Sequence, residues 1–277
     1  MIRYGALKNM WFSSGLQYIP EIRAHKTLQT PCGISLDTAR EELIEYLVSH
    51  AKELPPLFVD SGAFSEMNGN PFTVSDWHNK FKVYERLVSA FGDRCVIVAP
   101  DRIGDQAHTM SLIRHFKNEL LEFISKSNVI VPLQKPKEQF SLFDNTQEKG
   151  MTQIEMYEEV LQLLNDKVIA GIPFKKAATS YHDYCELLKS PPRRIHILGV
   201  TPFGEKWKNI TSANKRLNAE KVTFDGCRIR SLIGKGRVFT EVYNRIKDTS
   251  SREEAIEQTI ITLKDRFFHP SANQQVN

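Results

Sequence analysis

Val96-Ile97-Val98-Ala99-Pro100-Asp101 is an apolar, β-branched run that stops on a carboxylate. An unbroken run of this kind suits a strand buried on both faces, as in a parallel sheet, rather than one with a solvated side. Working outward from it, the same form returns. Leu57 to Val59 leads into Asp60, Val129 to Leu133 into Gln134, and Val222 to Phe224 into Asp225. Val168 to Ile172 carries Gly171, Ile195 to Val200 carries Gly199, and Met10 to Phe12 reads as an earlier strand. From Asp60 to Asp225 the steps between these marked positions are 41, 33, 37, 28 and 26 residues, about one strand-helix unit each.

Segments of helical period fill the intervals. Thr38 with Glu41, Thr152 with Glu155 and Ser251 with Glu254 have the spacing of capping boxes. Ala39, Leu43 and Leu47 follow the first, and Tyr157, Val160, Leu161 and Leu164 the second. Ala255, Ile256, Ile260 and Leu263 follow the third, and all three sets form core-facing stripes. Further helices are predicted over 76–90, 106–125, 176–188 and 236–246. Alternation of this kind fits a doubly wound open sheet or a closed eight-stranded barrel. No G-x-G-x-x-G follows the first strand and no G-x-x-x-x-G-K-[ST] occurs. The expectation is therefore a single α/β (β/α)8 TIM-type barrel over 1–270, with a frayed tail over 271–277.

The chain has 277 residues, 41% of them hydrophobic and 25% charged, which excludes a disordered or collagen-like polymer. No apolar run approaches the roughly 18 residues that cross a bilayer, and the first residues lack a signal-peptide core, so the expected location is the cytoplasm without membrane contact. Cys32, Cys95, Cys185 and Cys227 are too scattered for a local zinc motif and read as free thiols. No metal or cofactor is expected. The formal charge of +4 permits nucleic-acid binding without requiring it.

In a parallel barrel the residues that end the strands converge on the C-terminal face, where active sites are built. A single Asp in such a place could simply cap the following helix. Three acids, an amide and two glycines at successive strand ends point instead to a shared site.

Asp60-Ser61-Gly62-Ala63-Phe64, Val131-Pro132-Leu133-Gln134, Ile169-Ala170-Gly171, His196-Ile197-Leu198-Gly199-Val200 and Phe224-Asp225-Gly226 resemble, in order, segments of the tRNA-guanine transglycosylase family. The likeness extends to its DNA-directed relatives that insert 7-deazaguanine bases. It implies Asp225 as the nucleophile at the anomeric carbon and Asp60 as the acid/base group. Asp101, Gln134 and the backbone N–H of Gly171 would read a guanine edge between Phe64 and Leu198, with Gly199 also in the base-binding set. The partner base would be a preQ0-like 7-deazaguanine.

The zinc-binding subdomain of the tRNA enzymes has no counterpart, since no cysteine follows Cys227. The resemblance thus implies base exchange in DNA, with a reduced tRNA enzyme or a non-catalytic nucleic-acid-binding subunit as alternatives. Arg228, Arg230, Lys235 and Arg237 after Asp225, Lys135 and Lys137 after Gln134, and Lys175 and Lys176 after Gly171 would hold phosphates around a flipped nucleotide. Ordinary solvation explains such lysines and arginines equally simply. His196, within its strand, reads as a core or surface residue, and a homo-oligomer is allowed by the sequence.

Overall fold

The computed structural model describes residues 10–69, 71–135, 150–174, 179–200, 205–216 and 222–226. Strands and helices alternate as β1 (Trp11–Leu16), α1 (Ile19–Leu28), β2 (Cys32–Ser35), α2 (Glu41–His50), β3 (Leu57–Asp60) and α3 (Val74–Phe91). They continue as β4 (Cys95–Val98), α4 (Gln106–His115), α5 (Lys117–Lys126), β5 (Asn128–Pro132), α6 (Gln153–Leu164) and β6 (Ile169–Pro173). The series ends with α7 (Tyr181–Leu187), β7 (Ile195–Leu198), α8 (Glu205–Arg216) and β8 (Val222–Gly226). Each strand pairs in parallel with the next, and β1 pairs with β8, with Phe12 opposite Asp225. The sheet is thus a closed (β/α)8 barrel of TIM type, as the strand-end pattern predicts.

Period-two alternation divides each strand between two cores. Phe12, Phe58, Val96, Val98, Ile130 and Ile169 point inward and plug the barrel. Their neighbours Trp11, Leu57, Val59, Cys95, Ile97, Val129 and Ala170 face outward into a larger cluster with the helices. With both faces buried, the strands have to be apolar throughout, which is why they read as continuous runs. Two interior glycines make room for the plug. A β-carbon on Gly33 would lie 2.9 Å from Phe58 Cδ1, and one on Gly171 would lie 2.6 Å from Ile130 Cγ2.

Several sequence-based boundaries need correction. β2 escapes a search for apolar runs because it is only Cys-Gly-Ile-Ser, and α1 and α8 lie in segments given no helix above. No capping box forms at Thr38; its hydroxyl donates to the Ser35 carbonyl, and α2 begins after Arg40. The box at Thr152 is present, with the Glu155 amide donating to the Thr152 hydroxyl at 3.2 Å. The helix expected over 106–125 is two helices, broken at Phe116, whose ring stacks on Phe81 with centroids 4.7 Å apart. The segments 236–246 and 251–263 and the tail lie outside the described residues.

Cys32, Cys95 and Cys185 are free, and burial pushes the Cys32 and Cys95 thiols up to about 12, away from reactivity. Among the described residues no helix is long and apolar enough to cross a membrane.

Because the Gly171 position is filled by Ile130 and the β5 backbone, Gly171→Ala is expected to destabilise the fold by about 1–3 kcal/mol, read from denaturant unfolding. An unchanged unfolding midpoint would mean that the interior yields freely at this point.

Candidate active site at the mouth of the barrel

Two groups of polar side chains occupy the C-terminal ends of the strands. The first centres on Asp101, three residues beyond the end of β4. Its carboxyl is buried, and both oxygens are engaged: Ser61 Oγ donates to Oδ1 at 2.9 Å and Gln134 Nε2 to Oδ2 at 2.9 Å. Each donor is itself held. Ser61 Oγ accepts from the Ala63 amide at 3.2 Å, and Gln134 Oε1 accepts from the Gly104 amide at 3.0 Å. Gln106 Nε2 in turn donates to the Gln134 carbonyl at 2.9 Å and to that of Met151 at 2.8 Å. The turn after β3 is made possible by Gly62 at φ +79°, where a β-carbon would also meet Asp37.

Loss of water raises the Asp101 carboxyl to about 7, and the neighbouring charge of Asp60 adds to the shift. The hydrogen bonds from Ser61 and Gln134 act in the opposite direction without overcoming burial. Asp60 is half-buried at the end of β3, and its Oδ1 accepts from the Gly62 amide at 3.4 Å. Tyr84 of α3 reaches into the same region, donating its hydroxyl to the Val98 carbonyl at 2.6 Å.

The second group centres on Asp225 of β8. Ser14 Oγ donates to its Oδ2 at 2.8 Å, and the Gly199 amide donates to Oδ1 at 2.8 Å. His196 Nε2 stands 3.3 Å from the same Oδ1, while its Nδ1 is 2.7 Å from Thr223 Oγ1. With Nε2–H directed at the carboxylate, Nδ1 accepts from the threonine hydroxyl. The imidazole is fully buried and stacks on Phe58, with centroids 5.1 Å apart and planes 8° from parallel. Phe58 also belongs to β3, so this ring contact joins the Asp225 group to the strand that ends in Asp60.

Of the residues named from the sequence, the structure places Asp101, Asp60 and Gln134 in the first of these groups and Asp225 and Gly199 in the second. Sequence reasoning gave no role to Ser14, Ser61 or Tyr84 and read His196 as a core or surface residue. Alternation could have found the histidine, because Ile195 and Ile197 face outward and leave His196 on the inside with Asp225.

Other roles need correction. Gln134 is not available to read a ligand edge through its carbonyl or its bonded amide hydrogen, since these serve Gly104 and Asp101. Asp101 Oδ1 and Oδ2 each already accept one hydrogen bond, from Ser61 and Gln134, which leaves one acceptor position on each oxygen. A β-carbon at Gly171 would meet Ile130, and Leu198 is partly buried against the barrel plug. Phe64 lies half-buried on a 3-10 turn directly after the Asp60-Ser61-Gly62 bend. Lys135 forms an ion pair with Asp183 of α7 and is not an unpaired rim cation. Lys175, Arg228, Arg230, Lys235 and Arg237 lie outside the described residues. Among the described residues no group of three or more His, Cys, Asp or Glu could hold a metal ion.

No family model and no curated protein matches the chain. Solved structures do. The YdjI aldolase from Escherichia coli K12 aligns over 96% of this chain and 93% of its own, with 9% identity and a TM-score of 0.53. A provisionally assigned fructose-1,6-biphosphate aldolase from Coccidioides immitis aligns over 95% of this chain and 92% of its own, with 11% identity and a TM-score of 0.52. A β-mannanase from Thermomonospora fusca, solved with mannotriose, covers 78% of this chain and 77% of its own at 9% identity and a TM-score of 0.50. All three are enzymes by name, and at these identities the likeness is one of fold.

These findings overturn the transglycosylase resemblance. The aligned barrels are aldolase- and glycan-type enzymes rather than tRNA-guanine transglycosylases, and the site residues it relied on for the guanine edge are committed to one another. Guanine exchange in DNA or tRNA, a preQ0-like base and a nucleic-acid partner are withdrawn with it, together with the non-catalytic nucleic-acid-binding alternative.

Folded Asp101 keeps its proton up to about pH 7, whereas the unfolded group loses it near its ordinary 3.8. Between these values the folded state binds more protons, so this residue makes stability fall as pH rises, by about 4 kcal/mol at most. Buried His25, lowered to about 4, has the opposite slope between about pH 4 and 6.5. Asp101→Asn is therefore expected to remove a fall in stability between about pH 4 and 7, read by denaturant titrations across that range. An identical pH dependence in wild type and variant would contradict the raised carboxyl.

Proposed function

We propose that this protein is an enzyme that moves protons on a small polar molecule bound at the C-terminal mouth of the barrel. Asp101 gives and takes the proton, and Asp225 is a fixed carboxylate that orients the molecule. The observation that carries this reading is the Asp101 carboxyl buried at the mouth between Ser61 and Gln134, where loss of water raises its pKa to about 7. A general acid or base works best when its pKa lies close to the working pH, and most carboxyls are too acidic for that. Asp225 stands apart from Asp101, held by the Ser14 hydroxyl, His196 and the Gly199 amide, which fix its carboxyl group in place.

The mouth of a (β/α)8 barrel supports many chemistries, so the fold alone selects none. Carbon–carbon bond making or breaking beside a carbonyl is the first class to try. It requires a proton to be taken and returned near neutrality, and two of the aligned barrels bear aldolase names.

The test incubates the protein with a panel of small hydroxy- and oxo-compounds in deuterated water and reads deuterium incorporation by mass spectrometry. Wild type is expected to label its substrate, and Asp101→Asn to slow labelling roughly 100- to 10,000-fold while removing the ionisation near pH 7 from the rate profile. Asp225→Asn is expected to weaken binding of the same compound. Equal labelling by wild type and Asp101→Asn, or no labelling of any compound, would overturn the reading.

A further inference from the structure

Lys80 lies in the second turn of α3, outside both groups of site residues. Its ammonium extends to the bend after β3, where Nζ donates to the Ser61 carbonyl at 2.8 Å and lies 4.0 Å from the Phe72 ring centroid. The group is mostly out of water, and burial lowers its pKa against the pull of Asp37, Asp60, Glu66 and Asp76. Desolvating an ammonium is unfavourable, and a carbonyl with a ring face repays it only in a fixed geometry.

The carbonyl it grips belongs to the residue that donates to Asp101. Ser61 Oγ already accepts from the Ala63 amide, so its own proton is directed to Asp101 Oδ1. Gly62, in the left-handed region at φ +79°, and the Ser65 hydroxyl on the Gly62 carbonyl at 2.7 Å fold the chain tightly on the other side of Ser61. Lys80 anchors the carbonyl of that residue to α3.

We propose that Lys80 is a positioning residue for the Asp101 carboxyl, gripping the Ser61 carbonyl so that the Ser61 hydroxyl stays aimed at Asp101. This rests on the reading of Asp101 as the proton carrier. The groups facing Asp101 are Ser61 and Gln134, which hold its proton affinity down, and Asp60 and Glu66, which raise it. Tyr84 of α3 faces it as well, with a hydroxyl held well above its ordinary pKa. Releasing Ser61 removes one of the two restraining hydrogen bonds, and removing the Lys80 charge leaves Asp60 and Glu66 less balanced. Both changes move the Asp101 midpoint upward.

The experiment is a pH titration of the Asp101 carboxyl by carbon NMR on the full chain labelled at aspartate, which needs no substrate. Lys80→Met is expected to raise the midpoint by about one unit, a tenfold gain in proton affinity. Lys80→Arg, which keeps the charge and a donor, should return it close to wild type. Lys80→Gln gives the same upward direction with a smaller change in side-chain shape, should Lys80→Met fail to fold. Ser61→Ala should raise the midpoint by itself, and adding Lys80→Met to it should add less than Lys80→Met adds to wild type.

A Lys80 variant that lowers the melting temperature but leaves the midpoint in place would overturn the proposal, as would additive shifts in the double variant. A wild-type midpoint near 4 would instead remove the proton-carrier reading, and the comparison between Lys80 variants would still report whether Lys80 acts through Ser61.

Discussion

The site depends on a carboxyl taken out of water with only neutral donors for company. Burial disfavours the charged form of Asp101, and the hydroxyl of Ser61 and the amide of Gln134 offset part of that penalty without supplying a counter-charge. A cation in their place would have made the group an ordinary buried anion. Much of the surrounding structure serves these two hydrogen bonds: Gly104 and Gln106 hold Gln134, and the bend at Gly62 holds Ser61. The closed barrel brings β3, β4 and β5 side by side, so residues 61, 101 and 134 meet.

The fold was legible where burial on both faces forces unbroken apolar runs, as at β3 through β8. It was not legible at β2, whose Gly33 makes sense only against Phe58, a residue of the adjacent strand. A pair in register across a sheet leaves no local signature in either segment. The Thr38 spacing misled for a related reason. Its hydroxyl is engaged by Ser35, three residues earlier, so the box had the right residues in a turn that ends before the helix begins.

The site was half legible. Its carboxyls could be found because strand ends in a barrel converge, but their partners could not, because Ser61, Ser14 and His196 look like common residues until the register is known. The transglycosylase likeness failed in an informative way. Gly62 is needed for a left-handed bend, Gly171 for room beside Ile130, Gly199 for an amide aimed at Asp225, and Gln134 for a donor to Asp101. Each matched residue has a task inside this barrel, so short matches at strand ends report the demands of the architecture as readily as a shared reaction.

The most direct test of the account is an infrared difference titration of wild type against Asp101→Asn, following the carbonyl stretch of a protonated carboxyl. The account predicts that wild type carries a band absent from the variant, which disappears with a midpoint near pH 7. A band already gone by about pH 5 would mean that Asp101 is an ordinary ionised carboxylate, and the proton-carrying role would fall with it.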